Sequence, residues 1–188
     1  MSIRVIVSGS GTMGQHVMHA LQEADDIEIV AVIEKFSSGP IYELQSGQSV
    51  PLRQGLGDLA SFEADVLVDF SNVEWTMEIV PIAIDAGIRP VIGTSGLTSE
   101  FLVSCAEQCA TARLGGLIAS NFALGAVLMM HLAQIAAPYF DSAEVIEQHH
   151  DGKVDAPSGT AITTAKEMRA ARDQDFERNY PENETLPG

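Results

Sequence analysis

Residues 3–34 read IRVIVSGSGTMGQHVMHALQEADDIEIVAVIE, and this stretch decides the fold. Ile3 to Ser8 is an apolar, β-branched run of strand length. Gly9-Ser10-Gly11-Thr12-Met13-Gly14 is a tight turn. Met13 to Ala24 places Val17, Met18 and Leu21 on one stripe at helical spacing. Ile27 to Glu34 is a second strand-length apolar run. Strand, glycine turn, helix and strand form one βαβ unit, whose crossover is expected to be right-handed.

The turn matches G-x-G-x-x-G, a weak pattern alone that gains weight from its place between strand and helix. Gly9 permits the sharp turn, Gly11 lets backbone approach a pyrophosphate, and Gly14 lets helix and strand pack closely. Gly9, Gly11, Thr12, Met13 and Gly14 are therefore expected to bind the cofactor at the positive end of a helix. Glu34, twenty residues after the last glycine, can accept hydrogen bonds from ribose hydroxyls. Lys35 either pairs with a 2′-phosphate or is a solvated lysine, so NADH and NADPH both stay open.

Outward from this unit, residues 36–57 are rich in Ser, Gly and Gln and read as loop. Ala64–Phe70, Pro90–Gly93 and Gly116–Ala119 read as strands, and Trp75–Ala86 and Ser99–Ala112 as helices. Asn121–Tyr139 is a long apolar segment expected to be a buried helix. Alternating signals of this kind predict an α/β protein with a Rossmann-type doubly wound parallel sheet. After Asp141 the pattern changes. Ala143–Gln148 alternates like a half-exposed strand, and a helix follows over residues 161–172. This predicts a dinucleotide-binding domain over residues 1–122 and the start of a second α+β substrate domain over 123–188.

Ten Lys and Arg stand against 26 Asp and Glu, a formal charge of −16, which disfavours nucleic acid as a partner. No apolar run approaches the ~18 residues of a membrane span. The N-terminus enters a strand directly, without the apolar stretch of a signal peptide, and a cytoplasmic location is expected. Cys105 and Cys109, four apart in a helix, read as small apolar side chains, and no metal site is expected.

Against so acidic a background, the few clustered cations carry weight. His149, His150, Lys153, Ser158, Gly159 and Thr160 lie within twelve residues. Ser158 after Pro157 is a helix N-cap candidate, and the free N–H groups and hydroxyls there suit a carboxylate. Lys153 and His150 add positive charge, and His149 can exchange a proton near neutral pH. The set suits an anion that accepts a hydride and then a proton.

The string EQHHDGKVDAPSGTA, residues 147–161, resembles the signature of the dihydrodipicolinate reductases. Asp69-Phe70-Ser71, Gly93-Thr94-Ser95-Gly96 and Ser120-Asn121-Phe122 also follow that family's order and spacing. The resemblance covers residues 3–172. It implies reduction of 4-hydroxy-tetrahydrodipicolinate, a small dicarboxylate, by NADH or NADPH in lysine and diaminopimelate biosynthesis. It further implies that His149 is the general acid, with Lys153 binding a carboxylate and assisting proton donation. His150 would help hold the dianion, and Ser158, Gly159 and Thr160 the other carboxylate. Gly93, Thr94 and Gly96 would line the nicotinamide, with Asp69, Phe70 and the loop of Ser120, Asn121 and Phe122 beside it. Glu34 and Lys35 would hold the adenosine ribose. Two departures stand out. The glycine turn is one residue shorter than the family's usual G-x-x-G-x-x-G, and family members run on beyond this sequence's last residue. A homotetramer is implied for the full-length domain. The rival readings are another Rossmann oxidoreductase, such as an amino-acid dehydrogenase, or a non-catalytic nucleotide-binding remnant.

Overall fold

The computed structural model describes residues 2–36, 39–149, 151 and 156–177. The chain divides into two compact units, Met1–Ala119 and Ser120–Gly188.

In the first unit, β1 (Ile3–Ser8) is the central strand. It pairs in parallel with β2 (Ile27–Ile33) on one side and β5 (Val66–Asp69) on the other. Between them in sequence come β3 (Ile41–Glu43) and β4 (Ser49–Arg53), and after them β6 (Arg89–Ile92) and β7 (Leu117–Ile118). The seven strands lie in the order β3-β4-β2-β1-β5-β6-β7, parallel except for the antiparallel β3–β4 pair. The direction of strand addition reverses beside β1, and such a switch point is where doubly wound sheets bind nucleotides.

The period-2 alternation of β1 feeds two cores. Val5 and Val7 pack with Met18 of α1 (Thr12–Gln22), Ile29 and Val32. Ile6 packs into the other core with Leu67, Trp75 and Ile79 of α2 (Val73–Asp85), and Phe101, Cys105 and Cys109 of α3 (Ser99–Ala112). A sheet covered on both faces explains why its strands are almost continuously apolar. Each fully buried Ile or Leu stabilises the fold by roughly 1.5–3 kcal/mol. Caps set the helix starts. The Asn72 side chain accepts from the Trp75 N–H at 3.1 Å, and Thr98 accepts from the Phe101 N–H at 3.2 Å. Both cysteines are free and buried. Burial and the neighbouring Cys109 thiol push the Cys105 thiol up to about 11.

The second unit contains α4 (Leu124–Ala136), a 3-10 turn at Ala137–Tyr139, and α5 (Gly159–Ala170), which packs against α4. The Arg172 guanidinium donates to the carbonyls of Ala137 and Phe140 and lies over the Phe176 ring.

Three expectations are corrected. The loop read over residues 36–57 contains the β3–β4 hairpin. The apolar segment 121–139 is helical but not buried: Met130 and Ala137 are enclosed, whereas Leu124 is 82% exposed and Tyr139 83%. Apolar composition selects a helix but does not supply a layer to cover it. The alternating run 143–148 forms no strand among the described residues. Alternation alone cannot make a strand without a neighbour to take its hydrogen bonds.

Candidate active site

The glycine turn has the geometry its spacing predicts. Gly9 adopts φ +94°, and a methyl group there would sit 2.7 Å from the Phe70 carbonyl oxygen. A methyl on Gly14 would lie 2.0 Å from the Gly9 oxygen, so only glycine lets α1 start this close to β1. Around Gly11 nothing lies within 4 Å of that position. No side chain caps α1, and no acidic residue occupies its first turn, which contains Thr12 and Met13. An open cradle of this kind, at the positive end of a helix, fits a pyrophosphate.

Glu34 leans over the turn. Its Oε2 accepts from the Ser10 N–H at 2.8 Å and from the Ser10 hydroxyl at 2.9 Å. Partial burial raises the Glu34 carboxyl, but hydrogen bonds from Ser10 and from the backbone of Phe36 and Lys35 outweigh it. The net position is below the ordinary value. Lys35 is turned toward α2, with Nζ 3.9 Å from Glu78 and 5.4 Å from the Trp75 ring centre.

The end of β5 holds a buried polar cluster that sequence reasoning did not foresee. Asp69 is 0% exposed. Its Oδ2 accepts from the hydroxyls of Thr76 and Thr94, the latter at 2.9 Å, and its Oδ1 accepts from Ser71 at 2.7 Å. The Ser71 N–H donates to the Thr94 hydroxyl at 3.2 Å. These bonds tie the chain after β5 to the chain after β6. Gly93 lets the Phe70 ring lie against its backbone: a methyl there would meet the ring at 2.2 Å and displace it. Gly96 has φ +83°. Beside this cluster, the Trp75 indole N–H donates to the buried Ser8 hydroxyl at 3.0 Å. The turn glycines, Phe70, Gly93 and Thr94 thus form one connected surface at the ends of β1, β5 and β6.

In the second unit Ser158 caps α5, accepting from the Ala161 N–H at 3.1 Å. The Ser158 N–H donates to Glu147 Oε1 at 2.8 Å, and its hydroxyl donates to Glu147 Oε2. His149 Nδ1 lies 3.7 Å from the same Oε2. Asn121 donates to the Thr160 hydroxyl at 3.2 Å, and Ser120 lies against Gly159. Phe122 is 43% exposed. The structure therefore brings His149, Ser158, Gly159, Thr160, Ser120 and Asn121 into one neighbourhood around the start of α5. His150 and Lys153 lie outside the described residues. Glu147 is the residue the sequence reading passed over. Its signal was a carboxylate two positions before a histidine. Among the described residues, no group of three or more His, Cys, Asp or Glu could hold a metal ion, and no helix is long and apolar enough to cross a membrane.

Sheet order, switch point and glycine turn together define a Rossmann-type nucleotide-binding protein. Low-identity structural neighbours share that fold: a gentamicin-biosynthesis protein, GenD2, in complex with NAD has a TM-score of 0.58 at 16% identity, covering 73% of this chain and 40% of its own. Two family models match, dihydrodipicolinate reductase N-terminus over residues 3–122 and C-terminus over residues 125–185. The 4-hydroxy-tetrahydrodipicolinate reductase of Streptococcus pneumoniae (strain P1031) is 45% identical over 189 aligned residues, covering 100% of this chain and 72% of the relative. A dipicolinate-bound dihydrodipicolinate reductase from Paenisporosarcina sp. TG-14 superposes with a TM-score of 0.75 at 38% identity, covering 100% of this chain and 73% of that one. The chain belongs to the dihydrodipicolinate reductase family.

Proposed function

We propose that the chain is an NAD(P)H-dependent oxidoreductase that reduces 4-hydroxy-tetrahydrodipicolinate to tetrahydrodipicolinate, on the route to diaminopimelate and lysine. Family membership along the whole chain supports the reaction class. The observation that carries the chemistry is the linkage of His149, through Glu147, to the anion-accepting start of α5.

Reduced nicotinamide, when bound, supplies the hydride. The chain's own residues bind, orient and protonate. Gly9, Gly11, Thr12, Met13 and Gly14 hold the pyrophosphate on α1, and Phe70, Gly93, Thr94 and Gly96 serve the nicotinamide end. Glu34 accepts from the adenosine ribose and favours NADH. Lys35 offsets that preference enough for NADPH to be used as well. Gly159 and Thr160 grip one substrate carboxylate, and Ser158 acts there as the cap that fixes their backbone. His149 delivers the proton, with Lys153 and His150 supplying positive charge by the family motif. We read residues 1–122 as the nucleotide domain and 123–188 as the beginning of the substrate domain. The compact units and the two family models support that division. On family resemblance we place the enzyme in the cytoplasm as a homotetramer.

The test is oxidation of NADH or NADPH in the presence of freshly made dihydrodipicolinate synthase product. Turnover dependent on that product is expected. His149→Gln should lower kcat by about 10²–10⁴-fold while leaving NADH affinity unchanged. Cofactor binding without turnover in the unsubstituted protein would overturn the reaction, and full turnover in the variant would overturn the role of His149.

A further inference from the structure

We propose that Glu147 is the positioning residue that fixes the imidazole of His149 relative to the start of α5. The inference rests on the reading of His149 as proton donor.

Among the described residues, one carboxylate gathers three groups. Glu147 Oε1 accepts from the Ser158 N–H at 2.8 Å, Oε2 accepts from the Ser158 hydroxyl, and His149 Nδ1 stands 3.7 Å from that same Oε2. Ser158 is a firm anchor, because it is buried and its hydroxyl oxygen already caps the Ala161 N–H at 3.1 Å. The positive end of α5 favours the ionised carboxylate. Glu147 and His149 are two residues apart, and their side chains meet at Oε2. At 3.7 Å the approach of Nδ1 to Oε2 is an ion-pair distance and not a hydrogen bond, so the carboxylate acts on the imidazole through charge, drawing Nδ1 toward itself when the ring carries its proton.

A plain helix cap does not account for this arrangement. Ser158 caps α5 by itself, as Asn72 and Thr98 cap α2 and α3, but in those two helices the acidic residue, Glu74 or Glu100, lies within the first turn, whereas Glu147 reaches the start of α5 from eleven residues upstream. A carboxylate at the anion-accepting end of α5 also repels a dianionic substrate. Its presence there is explained if it holds the proton donor near the Gly159–Thr160 backbone that grips the substrate.

The decisive measurement is a double-mutant cycle on kcat and KM. Glu147→Gln keeps an acceptor for the Ser158 N–H and should preserve the start of α5. It is expected to lower kcat by about tenfold, with substrate KM and NADH affinity within about threefold. In the His149→Gln background the same change should alter kcat by less than about twofold, since a positioning residue has nothing left to position. If Glu147→Gln melts well below the unsubstituted protein, Glu147→Asp takes its place in the same two backgrounds. Equal loss of kcat in both backgrounds, an effect confined to KM, or no effect on kcat would overturn the inference. His149→Gln retaining full turnover would instead overturn the proton-donor reading, so the two failures are distinguishable.

Discussion

The carboxylate of Glu34, just past the end of β2, accepts hydrogen bonds from both the backbone N–H and the hydroxyl of Ser10, inside the turn that follows β1. The residue assigned to the ribose is therefore also a brace for the glycine turn. Its pKa in the folded chain lies below the ordinary value of 4.5. The sign follows directly: this stabilisation is complete above the unfolded value and is lost as pH falls through the lower, folded value. Glu34→Gln should be less stable than the unsubstituted protein at pH 7, and the gap should shrink between pH 5 and pH 3. Urea midpoints at those pH values check it. The same variant should move the kcat/KM ratio toward NADPH, because a fixed negative charge beside the ribose has been removed.

Gly11 and Gly14 should fail for opposite reasons. Gly11→Ala meets no protein atom, and the residue's φ of −66° suits any side chain. Its stability should stay within about 0.5 kcal/mol of the parent. The added methyl group projects into the open cradle, so NADH affinity should fall by tenfold or more, roughly 1.4 kcal/mol. Gly14→Ala cannot be built without moving the backbone of Gly9. It should lose both melting temperature and binding. Paired thermal melts and NADH titrations separate the two outcomes.

Removing the buried carboxylate of Asp69 leaves the hydroxyls of Thr76, Thr94 and Ser71 without the acceptor they share. Asp69→Ala should destabilise the first unit by about 2–4 kcal/mol, from unsatisfied polar groups and lost volume. Asp69→Asn should cost about 1 kcal/mol or less, because its amide oxygen can serve both threonines and Ser71 can rotate to accept from the amide nitrogen. Urea unfolding at pH 7 distinguishes them.

Features carried by contiguous residues were legible in the sequence. The glycine turn needs only its own spacing and its flanking elements, and helix α3 falls at Ser99–Ala112 as read. The β3–β4 hairpin was hidden because its strands are short and Pro51, which has no N–H to donate, sits inside β4. The exposure of α4 was hidden because apolar composition specifies a helix without naming its cover. The bonding of Asp69 and Glu147 was hidden for a third reason. Their partners lie 2–25 and 2–11 residues away, and only the folded chain reveals which hydroxyl meets which carboxylate. For the same reason the sequence does not reveal that the Ser158 hydroxyl serves Glu147 and the first turn of α5.

Trp75 is the single tryptophan of the chain. Its indole is anchored to Ser8, the residue immediately before the glycine turn, and Lys35 lies over its ring. The chain thus carries one indole, fixed beside the glycine turn, whose emission can be excited apart from that of its three tyrosines. Occupancy of the open cradle at that turn is readable from the light this ring emits, without a label and without a substrate to turn over.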